Sequence, residues 1–264
     1  MIDFDDIDAW GPKLTTILDP LLPETAGLKF ATAALEYIED ARDLLFTMTD
    51  REAVIDAMLT WIRSEVIVGY HGTRLIDLEV ESIRADGLIP LKAESRRVRL
   101  ERALSSHPEW PKVKDQLGPA IQAHGLGGAA GSREGQVHLT LSRAGLKNGF
   151  PHYLMYGSEF DMHLAQKLLG PSGLELLASD GEPMVIQVSV PGSRALEAAH
   201  PIFSVDFMRT RGEIPNIINE ILRAWSVRLA HPGFQSQSLK IDCGMRFQST
   251  VPASWITSID PLEK

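Results

Sequence analysis

Cysteine is almost missing: Cys243 is the only one in 264 residues. A lone thiol closes no internal disulfide, so the fold must be held by a buried core rather than by covalent staples. With no His in its own segment, Cys243 reads as a small buried hydrophobe rather than a nucleophile. Metal chemistry is also poorly provided for. The eight His are scattered, no His-Glu-x-x-His occurs, and one Cys completes no zinc-type cluster. No apolar run approaches the ~20 residues of a membrane span. Basic residues are in the minority, 26 against 35 acidic for a net charge of −9, which excludes a broad cationic footprint for duplex nucleic acid but not a local basic cleft. The N-terminus, Met1-Ile2-Asp3-Phe4-Asp5-Asp6, is acidic where a secretory leader is basic and then apolar, so the expectation is a cytoplasmic protein. The Gly-rich stretch Gly125–Ser132 is followed by Arg133-Glu134-Gly135 rather than Lys-Ser/Thr, so it is no phosphate-cradling loop and reads as a mobile connection able to cover a pocket.

What is present is an ordinary globular composition, 44% hydrophobic and 23% charged, enough for one substantial core or two small ones. The first 65 residues read as helices. One apolar stripe runs through Leu14, Ile17, Leu18, Leu21 and Leu22, and a second through Leu28, Ala31, Ala34, Leu35, Ile38, Ala41, Leu44 and Leu45. A third, with Val54, Ile55, Met58, Leu59 and Ile62, opens at a capping box of Thr49 and Glu52. Strand signals begin at Val66. They are interrupted from about Leu91 to Glu134 by a charged, then Pro-punctuated, then Gly-rich insertion. Within it Arg96, Arg97, Arg99 and Arg102 form the densest basic run, read as a solvated helix face, with a phosphate or RNA contact as the alternative. Met184–Pro191 predicts a core strand. Ile217, Ile218, Ile221, Leu222 and Trp225 predict a helix after Glu213, and strands are expected over 239–243, 245–248 and 251–256.

The most informative segment is His71-Gly72-Thr73-Arg74. It follows the apolar run Val66–Tyr70 and precedes Leu75, Ile76, Leu78, Val80 and Ile83 at helical spacing, with Gly87-Leu88 as a stop. A strand thus delivers His71 at its end. Gly72 lets a ligand approach the backbone, and Thr73 offers a hydroxyl and an N–H. In Gln136–Ser142, alternation puts His138, Thr140 and Ser142 on one face. In Phe150–Phe160, aromatic, hydroxyl and carboxylate groups converge: Ser158 and Glu159 suit a helix cap, while Tyr153, Tyr156 and Glu159 also suit a ligand wall.

The order strand, His-Gly-Thr, helix, Gly-Leu resembles the first motif of the ADP-ribosyltransferase superfamily, in which that step grips NAD. The Val137-His138-Leu139 strand is similar to the His-bearing strand of RNA 2′-phosphotransferases, where the poly(ADP-ribose) polymerase branch carries Tyr. The resemblance spans about Val66 to Ile259. It implies an α+β protein: an ADP-ribosyltransferase-like split antiparallel sheet over 66–264, an N-terminal helical region over 1–65 and a helical insertion. It implies NAD as cofactor, held by His71, Gly72, Thr73, Arg74, Thr140, Tyr153 and Tyr156, with His71, His138, Glu159 and Asp242 as catalytic candidates. The superfamily commonly places a Glu near the start of its closing strand, which here falls near Met245, so the usual carboxylate is absent, displaced to Asp242, or supplied from Glu159 or Glu213. The acceptor implied is a protein or nucleic acid. The alternatives are a phosphotransferase, for which Arg74, Arg133, Arg143 and Arg246 are the candidate clamp, and a non-catalytic nucleotide-binding or interaction module. Bacterial proteins of this architecture are often toxins or phage-defence effectors, which implies an inhibitory protein partner on the helical cap.

Overall fold

A computed structural model describes residues 1–92, 95–124, 135–200, 202–239, 241 and 244–262. The fold is mixed α+β, helix-rich, with small antiparallel sheets. Two compact units share the chain. One comprises 1–69, 139–145 and 189–246, the other 70–138, 146–188 and 247–264. The N-terminal helices therefore do not stand alone as 1–65; they complete their core with a helix more than 150 residues downstream in sequence.

In the first unit the helices Ile7–Leu18, Ala26–Thr32, Ile38–Met48 and Arg51–Ser64 pack on the long helix Asn216–Ala230. The third expected stripe is a buried face, Val54, Ile55, Met58, Leu59 and Ile62, as are Leu14 and Leu18 of the first, against Ile217, Ile218, Ile221, Leu222 and Trp225; of the second stripe only Ala41 and Leu45 are buried, while Leu28, Ala31, Ala34 and Ile38 face solvent. Trp225 Nε1–H donates to Thr15 Oγ1 at 3.0 Å, which satisfies the one polar atom of this buried ring. Two local expectations change. The second stripe is two helices, because Asp40 accepts from the N–H groups of Glu36 and Tyr37 at 2.9 and 2.8 Å and starts a new helix there. The third helix is capped by Asp50, which accepts from Glu52 N–H at 3.0 Å, while the Thr49 hydroxyl donates to the Leu21 carbonyl.

Five strands are present among the described residues: β1 (Val66–Leu75), β2 (Val137–Leu139), β3 (Glu182–Pro191), β4 (Met245–Phe247) and β5 (Ile256–Pro261). They form a three-stranded sheet in the order β1-β3-β5 and a two-stranded sheet of β2 and β4. β3 pairs antiparallel with β5, Ile186 opposite Ile259, with a register shift between Gln187 and Val188. β1 does not end at His71; it runs on to Leu75, and the helix Asp77–Asp86 starts where Glu79 accepts from Ile76 N–H. Gly87 leaves that helix at φ 83°, as expected of the stop, and Leu88 then bridges Val251. The strand expected over 251–256 is a single bridge followed by a 3₁₀ turn, and pairing begins only at Ile256. Leu239 and Ile241 are buried but lie outside any ladder. In the second unit the insertion helices Arg96–Leu104 and Leu117–His124 share an apolar cluster with Glu159–Leu169 and Pro171–Ser179, built on Leu100, Leu104, Ile121, Phe160, Leu164 and Leu177. No helix of the described residues is long and apolar enough to cross a membrane.

Candidate functional site

The site begins on β1, whose alternation leaves His71 and Thr73 half-buried and turns Gly72 and Arg74 inward. Gly72 is closely packed: a Cβ there would lie 3.2 Å from Leu146 Cδ2 and 3.3 Å from Leu154 Cδ2, tight contacts with two side-chain ends. Its neighbour Arg74 is not available to a ligand. The guanidinium donates to the carbonyls of Asp180 and Leu154, each at 3.3 Å, and to that of Gly181. An inward-facing arginine on a strand must satisfy its donors locally, and Arg74 does so on main chain. The expected cofactor contact of Arg74 is therefore replaced by a strut between β1, the His152–Tyr156 helix and the turn before β3.

His71 is differently held. Its Nδ1–H donates to the His138 carbonyl at 2.9 Å. Because a carbonyl only accepts, the proton sits on Nδ1, and Nε2 is left as an acceptor. Burial pushes the His71 imidazole below its usual range, the His138 carbonyl works against that shift, and the charge of Arg96 adds to it. His71 is thus a neutral hydrogen-bonding group near pH 7. The unfolded chain takes up this proton near pH 6.5 and the folded chain only at lower pH, so the stability tied to His71 is complete above about pH 6.5 and is lost as pH falls below it. Urea midpoints measured from about pH 8 to about pH 5 should fall less steeply in His71→Gln than in the wild type. Parallel profiles would show that His71 is not held neutral by its surroundings.

Arg96 connects the two halves of the expected site. The run Arg96, Arg99 and Arg102 is not a solvated face. Spaced three apart, these residues share one side of the helix Arg96–Leu104, and that side meets acids from distant segments. Arg96 forms a bidentate pair with Asp161, with Nε to Oδ1 at 3.0 Å. Arg99, 3% exposed, donates to the Arg74 carbonyl at 2.6 Å and approaches Asp161 Oδ2 at 3.5 Å. Arg102 pairs bidentately with Asp180, at 3.0 and 2.8 Å, and reaches Glu79 at 3.3 Å. Asp161, fully buried, is thus the resident anion between two guanidinium groups.

Asp161 stands two residues after Glu159 in a helix whose cap is Ser158, accepting from Asp161 N–H at 3.1 Å. Glu159 lies in the first turn, where the helix dipole favours its charge. Its Oε1 accepts from Tyr153 Oη–H at 3.1 Å and from His152 Nε2–H at 3.3 Å. The His152 and Tyr153 rings lie 4.2 Å apart, with Phe150 edge-on to His152. The capping and ligand-wall readings of this segment are compatible: Ser158 makes the cap, and the Glu159 side chain faces Tyr153. Tyr156 packs against the apolar cluster of Leu100 and Phe160 rather than beside Glu159. His138 Nε2–H donates to Gln136 Oε1 at 3.1 Å.

In the first unit, Thr140 is buried and its hydroxyl donates to the Ile241 carbonyl at 3.2 Å, a structural tie. Ser142 donates to Asp5 at 2.6 Å and accepts from Gly145 N–H at 2.8 Å. Met245, at the place where a carboxylate is expected, is fully buried; a Cβ on Gly69 would sit 2.7 Å from its Cε. A Glu would not be accommodated there without desolvating its charge. Asp242 and Arg133 lie outside the described residues.

The structure therefore joins His71 to His138 and Tyr153 to Glu159, and it adds Asp161 and His152, which the sequence did not single out, together with Arg96, expected only as part of the basic run. His152 could have been found from its spacing to Glu159; the roles of Arg96 and Asp161 arise from contacts 65 residues apart and leave no local signal. What fold and geometry define is a mixed α+β protein with two polar groups, His71 with His138 at β1 and His152 with Tyr153 and Glu159 at the start of the Glu159 helix. No family model matches the chain, and neither a curated protein nor a solved structure matches it.

Proposed function

We propose that the second unit binds NAD along β1 and transfers its ADP-ribose to a protein or nucleic-acid acceptor, on an ADP-ribosyltransferase-like split sheet. The observation that carries this reading is His71: a half-buried imidazole held neutral, its proton fixed on Nδ1 by the His138 carbonyl, next to a glycine and within the field of Arg96. A neutral acceptor beside a cation suits a ligand that carries ribose hydroxyls next to a diphosphate. When bound, NAD supplies a glycosidic bond that breaks as nicotinamide leaves with the bonding electrons, while a lone pair of the acceptor forms the new bond. The chain's part is clamping and charge. His71 Nε2 accepts from a ribose hydroxyl, Thr73 adds a donor, and Tyr153 borders the ring. The Glu159 carboxylate, held in place by Tyr153 and His152, places negative charge beside the developing cation and takes the acceptor's proton.

Incubating the protein with NAD labelled on its adenylate phosphate and a cell lysate, then separating protein, RNA and DNA, tests this. Label should enter one fraction. It should fall at least about a hundredfold with His71→Ala or Glu159→Gln. NAD left intact by the wild type, with no fraction labelled, would overturn the transferase. The buried Met245 favours a second reading, a nucleotide-binding module without turnover. Calorimetry showing NAD binding lost in His71→Ala, with no transfer, would establish it. The commitment of Arg74 to main-chain carbonyls weighs against a phosphotransferase clamp. As a toxin or defence effector, the protein expressed alone would harm cells, and a partner that suppresses the harm would co-purify.

A further inference from the structure

The first unit has an open groove of about 350 Å³, lined by Arg42, Asp43, Phe46, Arg51, Asn216 and Asn219, with Ile214 as a further apolar wall. Its volume lies at the small end of ligand pockets, which begin at about 300 Å³. The lining brings together two guanidinium groups and the Asp43 carboxylate, with the Glu52 carboxylate beside Arg51. Each arginine pairs with the exposed carboxylate of its chain neighbour. Arg42 pairs with Asp43, its chain neighbour, at 2.6 Å, and that carboxylate is 62% exposed. Arg51 pairs with its neighbour Glu52 at 3.4 Å, again an exposed carboxylate. Exposed ion pairs of this kind contribute little and exchange readily for a ligand anion. The remaining donors already have a direction. Arg42 Nη1 reaches Asn219 Oδ1 at 2.5 Å, Arg51 Nη2 donates to the Gly212 carbonyl at 2.7 Å, and the Arg51 guanidinium lies 5.8 Å from the Phe46 ring centre. These contacts hold two planar forks and an aromatic face in a lining that also includes Asn216, Asn219 and apolar Ile214.

From this arrangement we infer a second ligand site, on the helical unit, for a phosphate monoester carried on a planar ring. The two guanidinium groups take the phosphate bidentately, the Phe46 and Arg51 planes take the ring, and the two Asn amides take its hydrogen-bonding edge. The site is independent of the transferase reading, since none of its residues belongs to the polar groups at β1 and the Glu159 helix.

Isothermal titration of the full chain with AMP at low salt tests it, with adenosine and inorganic phosphate as separate arms. Saturable AMP binding is expected. It should be about ten- to a hundredfold weaker in Arg42→Gln and in Arg51→Gln, partly restored in Arg51→Lys, and unchanged in His71→Ala. Circular dichroism of each variant confirms folding, and Arg51→Lys keeps the charge if Arg51→Gln misfolds. Adenosine binding as tightly as AMP would overturn the inference, because the arginines would then read no anion. So would AMP binding that is lost in His71→Ala and kept in Arg51→Gln, which would assign the ligand to β1, and so would no saturable binding at all. Inorganic phosphate that binds as tightly as AMP would overturn the ring part of the site.

Discussion

Gly192→Ala is expected to unfold the first unit or to lower its stability by more than ~3 kcal/mol. Gly192 opens the short helix Gly192–Glu197, which packs on Arg51–Ser64. Its N–H donates to the Glu65 carbonyl at 2.8 Å. A Cβ would fall 1.7 Å from the Ile62 carbonyl oxygen, 2.7 Å from Ile62 C and 2.8 Å from the Glu65 oxygen. All three contacts are main chain at the end of a helix, so no rotamer change relieves them, and either the hydrogen bond or the helix end must move. Gly27→Ala is the control: nothing lies within 4 Å of a Cβ there, and the residue is helical, so alanine should be neutral or stabilising by up to about 1 kcal/mol. Urea midpoints and soluble yields of the two variants settle the matter. A Gly192→Ala protein with the wild-type midpoint would show that this helix does not dock as described.

Asp161→Ala is expected to cost about 3–5 kcal/mol, the penalty of leaving buried charge without its partner. The carboxylate is fully buried, holds Arg96 bidentately and lies 3.5 Å from Arg99 Nε. Arg99 is itself buried, and its Nη2 has no hydrogen-bond partner among the described residues, so Asp161 is the main compensation for two cations. Asp161→Asn should cost less, because one oxygen remains to accept from Arg96. Joining Asp161→Leu to Arg96→Met should recover part of the loss, since an apolar pair of similar volume removes the unpaired charge. The loss should reach the site as well: Arg96 would no longer be fixed near His71, and the helix carrying Glu159 would lose its buried ion pair to the insertion. Chemical denaturation of the three variants, with the NAD transfer assay alongside, measures both. A wild-type midpoint for Asp161→Ala would mean that water, not Asp161, solvates the pair of arginines.

The legible parts of this protein are those that local periodicity encodes. The stripe from Val54 to Ile62 and that from Ile217 to Trp225 are buried helix faces, and the strand expected over Met184–Pro191 is β3, extended by two residues. Gly87 ends its helix as anticipated. The expected site was legible in part. His71, Gly72 and Thr73 lie on one strand, and Tyr153 meets Glu159, because each pair is close in sequence or fixed by alternation. Arg74, Thr140 and Tyr156 are turned to structural work, since a side chain's polar partner depends on what packs opposite it. Near misses are instructive too. Thr49 and Asp50 are both good caps by residue type, and only the path of the preceding chain, which brings the Leu21 carbonyl to the Thr49 hydroxyl, assigns the role to Asp50.

By itself the sequence determined the helices Arg51–Ser64 and Asn216–Ala230 with their apolar faces, the core strand β3, and that a polar His-Gly-Thr step sits in a strand, because these follow from backbone periodicity over a few residues. Only the tertiary structure decided that Arg99 is buried and that Arg96 and Arg102 pair with acids from distant segments, Asp161 and Asp180, that Met245 fills the place expected for a carboxylate, and that the first helices complete their core with Asn216–Ala230. Those outcomes rest on partners 65 to 78 residues apart for Arg96 and Arg102, and on neighbours still farther off for the helices. An ion pair or a packed core is a property of two distant segments meeting, and no local pattern in either one records it.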